Sequence, residues 1–271
     1  MRDTLAPIPI LDEATSVLPR VASPWLGVYW LLALPCRFLQ VRFIDDLLVL
    51  GRTAGRYGDH LRGLSLAVFA ALVPALYGRL LLVRAMDSHL AGAPRSGVRA
   101  LWVGLVPFAS YLYLALLLAT VSCALVFTGF VPLLAIPLAG IAPAVALAQE
   151  RVGLLRPVAD LVRPAVAIRA IGGIYAMLAL AFLLAAVNLL LLFQIGLWLS
   201  SGWGADLTAW AAILFPTNRL FALLLIAGSL LVVEPFWLAA SLVLVRRFRE
   251  RESGEDLRAW LSRIRAGAIR A

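Results

Sequence analysis

The sequence predicts an all-α integral membrane protein, a single bundle of about six transmembrane helices with short amphipathic interfacial helices at the N-terminus, mid-chain and C-terminus. Three observations carry that expectation. The chain has 271 residues and is 63% hydrophobic but only 14% charged, where soluble domains are about a quarter charged. Several apolar runs exceed the roughly 18–20 residues that a helix needs to cross a hydrocarbon core. Those runs are unbroken blocks of Leu, Ala and Val, whereas a membrane barrel alternates apolar and polar residues in segments of about ten.

Taken in order, Ile10 to Leu18 reads as a short amphipathic segment on the membrane surface. Pro9 suits a first turn, Asp12 and Glu13 suit the positive end of a helix dipole, and Leu11, Thr15 and Leu18 share a face, with Pro19 as the stop. The opening residues lack an apolar core with a small-residue cleavage site, so no cleaved signal peptide is expected. The first span covers about 21–43. Val21 to Cys36 is short for a crossing, so Arg37 and Arg42 are expected to snorkel to the interface, with Trp25 and Trp30 in an aromatic belt. A polar loop holding Asp45, Asp46, Asp59, His60 and Arg62 follows, then a second span at about 64–83 with Pro74 inside and Arg79 near its exit.

Residues 84–99 read as a loop, broken by Gly92, Pro94 and Gly97. The third and fourth spans, about 100–127 and 131–148, are joined so tightly that they form an antiparallel hairpin. Gln149 to Arg169 is amphipathic and interfacial. The fifth span, about 171–199, carries Asn188 and Gln194, polar groups that in lipid seek a partner on a neighbouring helix. Its opening Gly172-Gly173 suits helix packing better than anion binding. The sixth span runs from about 220 to 245, and 247–271 forms a basic amphipathic tail helix. Its apolar stripe includes Trp260, Leu261 and Ile264 with Arg258 and Arg265 flanking it, suited to an anionic leaflet or partner surface or to packing on the protein's own loops.

All 24 basic residues are arginines, and the net charge is +9. With six spans and both termini inside, seventeen of them fall in inner segments and three in outer loops. This is the bias that places both termini in the cytoplasm, and it explains the basic excess without nucleic acid as a partner. The expected partners are the bilayer, with anionic lipid at the cytoplasmic leaflet, and other membrane proteins.

Glu234, directly before Pro235, is the acidic residue deepest in an apolar run. A mid-bilayer carboxylate costs about 2.5–3.5 kcal/mol on insertion scales and so faces the bundle interior. Two readings fit it: a proton- or cation-coupled site with Asn188 and Gln194 nearby, or a structural carboxylate paired with Arg79 or Arg37 or bonded to backbone freed by Pro235. Nothing else carries chemistry. His60 and His89 lack metal-ligand spacing, Cys36 and Cys123 sit in apolar runs, and no phosphate loop, GxSxG or dinucleotide fingerprint is present. No cofactor and no catalytic residue are expected.

Three stretches resemble a known group. ILDEATSVLPR at 10–20, the Pro-containing span and charged helix at 130–163, and VEPFWLAASLVLVRRFRERESGEDL at 233–257 are similar to bacterial multi-span proteins of the glycerophosphoryl diester phosphodiesterase membrane-domain family. The resemblance implies a six-span protein of the cell inner membrane without the separate soluble hydrolase domain, and it carries over no catalytic residue. A non-enzymatic accessory or scaffold component is the first expectation. A small-solute or ion transporter with Glu234 in its pathway is the second, and a membrane-embedded lipid enzyme the third.

Overall fold

A computed structural model describes residues 6–50, 58–90, 172–202 and 218–253, with scattered positions between 102 and 117. Four long helices make up these segments: α1 (Pro7–Leu50), α2 (Gly58–Leu90), α3 (Gly172–Gly202) and α4 (Arg219–Ser253). Three stretches are long and apolar enough to cross a membrane: His60–Leu90, Gly172–Gly202 and Arg219–Leu244. The bent α1 adds a fourth if its two arms count as one span. The expected spans at 131–148 and most of 100–127 lie outside the described residues, as do the interfacial segment at 149–169 and the tail beyond Ser253.

The largest departure from the sequence reading is at the N-terminus. Pro19 does not stop the first helix. The chain stays helical to Leu50, and the break is a 101° bend between Pro7–Val21 and Trp25–Asp46. The bend falls between Val21 and Trp25, past Pro19, in a stretch whose sequence includes Pro24, a residue without the N–H that a helix interior needs. The first arm buries Ile10, Ala14, Val17, Leu18 and Val21, while Thr15, placed on the apolar face by the sequence reading, is exposed. This face belongs to one cluster with Leu80–Val83 and Met86 of α2 and Leu238–Leu244 of α4. The arm therefore packs on the protein's own helices.

Residues 37–46 continue the span helix. Asp45 and Asp46 lie in its final turns, and Asp59, His60 and Arg62 begin α2, so the expected polar loop is helix on both sides of residues 51–57, which lie outside the described residues. At the far end of α2 the expected loop beginning at residue 84 is helix as far as Leu90. Antiparallel packing of α1 on α2 is shown by two contacts: His60 lies 3.4 Å from Asp46 near the connection, and Gly78 faces Tyr29 and Leu32 deeper in. A Cβ on Gly78 would stand 3.2 Å from Leu32 Cδ1 and 3.4 Å from the Tyr29 backbone, so glycine sets the close approach beside Arg79.

Helix α4 starts at Asn218, whose Oδ1 accepts from the backbone N–H of Leu220 at 3.0 Å and caps the first turn. It does not end at the membrane edge: the helix continues through Arg246 and Arg247 to Ser253. Helix α3 runs antiparallel to α4, with Tyr175 on Trp237, Leu189 by Gly228 and Phe193 on Phe221. It buries only Ile174 and Leu178, leaving residues such as Leu183, Leu192 and Trp198 exposed. Apolar on all sides and exposed along its length, it has the length and composition to cross a membrane. At its start Gly173 lies against the Pro7 ring, where a Cβ would collide; this is a packing glycine.

One contact explains how α4 tolerates Pro235. Proline leaves the carbonyl of Leu231 without its helical donor, and in hydrocarbon an unpaired carbonyl costs several kcal/mol. The Trp30 indole N–H donates to that carbonyl at 3.0 Å. Trp30, expected in an interfacial belt, instead joins α1 to α4. Replacing Trp30 by Phe should cost about 1–3 kcal/mol of stability, and adding Pro235→Ala, which restores the backbone donor, should return most of it. Thermal melts of the three variants in mild detergent check this; a double variant no more stable than Trp30→Phe would refute it.

Candidate functional site

The only charges brought together deep inside the described bundle are Arg37, Arg79 and Glu234, one from each of α1, α2 and α4. Arg37 grips the carboxylate with two parallel bonds, Nε to Oε2 at 2.7 Å and NH2 to Oε1 at 2.5 Å. Its NH1 donates to Gln40 one turn on, at 2.6 Å, which holds the guanidinium plane. Arg79 NH2 donates to Oε1 from the opposite helix. The three side chains are 21%, 14% and 11% exposed, in that numerical order. Arg37 therefore does not snorkel to an interface, and Arg79 lies within α2, not at its exit.

Helical spacing makes this convergence possible. Tyr29, Ala33, Cys36 and Arg37 lie at four-, seven- and eight-residue intervals, one face of α1, and the first three are buried. The bidentate fork suits arginine, since a planar guanidinium matches both carboxylate oxygens. The account does not balance, however. One carboxylate offsets one guanidinium, so among the described residues the triad carries a net charge of +1. The buried hydroxyls of Tyr29 and Tyr111 stand close by, facing Glu234 and Arg79 respectively.

A cavity of about 530 Å³ opens on this triad. Arg37, Arg79 and Glu234 form its floor, while Tyr175, Leu178, Phe182 and Leu183 of α3 and Leu230 and Trp237 of α4 supply its walls. Tyr175 and Trp237 on this lining touch edge to face, with ring centroids 4.9 Å apart.

Two further tiers of ion pairs flank the triad. Near the α1–α2 connection Arg219 of α4 donates to Asp45 at 2.5 Å and Asp46 at 2.8 Å, both on α1. At the opposite end Arg246 donates to Asp87 of α2 at 2.7 Å, and Arg247 to Glu13 of the α1 arm. Two arginines counted as orientation signals thus also tie three helices together.

Of the other sequence candidates, Asn188 is exposed and Gln194 half-buried on α3. Both lie beyond the Tyr175–Leu183 stretch that lines the cavity, so the structure does not join them to Glu234. Arg258, Trp260, Leu261, Ile264 and Arg265 lie outside the described residues. Sequence reading missed Tyr29, Tyr111, Tyr175 and Trp237 as neighbours of the triad; for Tyr29, the eight-residue interval to Arg37 is the signal that was available. No protein-family model matches the chain, and no curated protein or solved structure does either.

The triad predicts an unequal response to neutralisation. Glu234→Gln leaves two guanidiniums facing each other and should cost about 3–5 kcal/mol, the usual range for breaking a buried pair. Arg79→Gln leaves a neutral pair and should cost less. Combining the two should be milder than their sum. Unfolding in detergent measures this; additive losses would mean that the three groups are not coupled.

Proposed function

We propose that the chain is a six-span component of a bacterial cytoplasmic membrane with both termini on the cytoplasmic side, acting as a non-enzymatic accessory or scaffold subunit that contacts lipid or partner proteins on its cytoplasmic face. One observation carries this reading: both oxygens of Glu234 are engaged by Arg37 and Arg79. A carboxylate held by two cations keeps its charge and fixes helix positions, whereas a coupling site must take up and release a proton or cation. The exposed apolar length of α3 supports contact with lipid or with helices of another protein. The Arg246–Asp87 and Arg247–Glu13 pairs support a rigid inner end from which the basic tail is presented.

A transporter or channel is the second reading, favoured by the cavity that reaches Glu234. Proteoliposomes under an imposed pH gradient separate the two. On the scaffold reading the gradient decays no faster than in protein-free vesicles, and Glu234→Gln changes nothing. Faster decay with the native protein that is lost in Glu234→Gln would overturn the scaffold reading.

A further inference from the structure

We propose that the cleft between α3 and α4 binds an acidic amphiphile with a single negative charge, its carboxylate or phosphodiester head on Arg37 and Arg79 and its acyl chain along Leu178, Phe182 and Leu183. The site goes beyond the scaffold reading and does not depend on the orientation or partners assigned there.

Charge is the first argument. Among the described residues the cleft holds two guanidiniums and one carboxylate, so a single added negative charge brings that cluster to neutrality. An uncompensated cation within a span is costly, and such groups face partners or cavities. Both arginines line the cavity as well as holding Glu234, and guanidinium N–H forks match carboxylate and phosphate oxygens. A neutral or cationic ligand would leave the imbalance or deepen it.

Shape is the second. Above the charged floor the walls are aliphatic and aromatic, and about 530 Å³ falls within the roughly 300–1,000 Å³ typical of small-molecule sites. Three charged groups in mutual contact within an otherwise apolar cleft match a molecule with one charged head and a hydrocarbon body.

The route of entry is the third. Leu183 is 59% and Leu230 37% exposed, and both line the cavity. Its mouth therefore lies on the exposed apolar surface of α3 and α4, which in a membrane faces acyl chains. A ligand arriving that way comes from the bilayer, which selects an amphiphile over a water-soluble anion.

The test is native mass spectrometry of the full chain from a neutral detergent, titrated separately with oleate, dioleoyl phosphatidylglycerol and oleyl alcohol, with inorganic phosphate as competitor. Saturable one-to-one binding is expected for the acidic amphiphiles. The alcohol should bind about tenfold more weakly or worse, the loss of one charged hydrogen-bonded head. Tighter binding of oleate identifies a free fatty acid as the source, and tighter binding of phosphatidylglycerol a membrane lipid. Ala179→Phe, on the lining of the cleft, should abolish binding while leaving the triad intact. Leu183→Trp at the exposed mouth serves the same purpose should Ala179→Phe lower the melting temperature. Alcohol binding equal to oleate, displacement by inorganic phosphate, or undiminished binding in a stable cleft-filled variant would overturn the proposal.

Discussion

Glu234 has to be matched inside the bundle because water is not there to solvate it, and it is matched twice. That constraint organises the described fold. Arg37 fixes the rotation of α1, Arg79 that of α2, and both are set against one point on α4. Apolar packing alone does not supply such a register in lipid, where a leucine gains little by facing a helix instead of an acyl chain. Three charges that must meet have few ways to do so. The ion pairs near the two ends, Arg219 with Asp45 and Asp46 and Arg246 with Asp87, then repeat the cross-link at other depths.

The backbone around the triad follows the same logic. Pro235 adjoins Glu234 and removes a donor, and the freed Leu231 carbonyl is taken up by Trp30. One turn of α4 thus receives both a side-chain and a backbone tie from α1. Gly78, next to Arg79, lets α2 come near enough to α1 for its guanidinium to reach across. The site is built from unusual residues lying beside ordinary ones: a proline, a glycine and a tryptophan next to the three charges.

The apolar runs made the spans legible. The starts of α3 and α4 fall within a residue or two of where the hydrophobic runs begin, because nothing but apolar side chains is tolerated along those lengths. Polar helix ends were not legible. Asp45, Asp46 and Asp87 look like loop residues until their partners are known, and those partners lie 174, 173 and 159 residues away in sequence. The same distance problem affected Glu234: pairing with Arg37 or Arg79 was one of its readings, yet a separation of 197 or 155 residues gives no way to choose between one arginine and both. Pro19 was expected to stop the first segment, whereas the helix runs on past it and bends by 101° between Val21 and Trp25. By chemistry alone either Pro19 or Pro24 is able to break a helix.

The surplus positive charge of the triad, counted among the described residues, is the feature that links the architecture to the proposed ligand. A purely structural lock would be neutral, with one arginine for one glutamate. Holding two in an apolar cleft leaves an attraction for anions, and the lock thereby doubles as a receptor surface. Whether the three residues form one electrostatic unit is decided most directly by exchanging charges across it. Arg37→Glu and Glu234→Arg should each lower the melting temperature sharply, and the double exchange, which re-forms the ion pair between positions 37 and 234 but leaves position 234 cationic beside Arg79, should recover part of the loss. A double exchange as unstable as the sum of its singles would contradict the account.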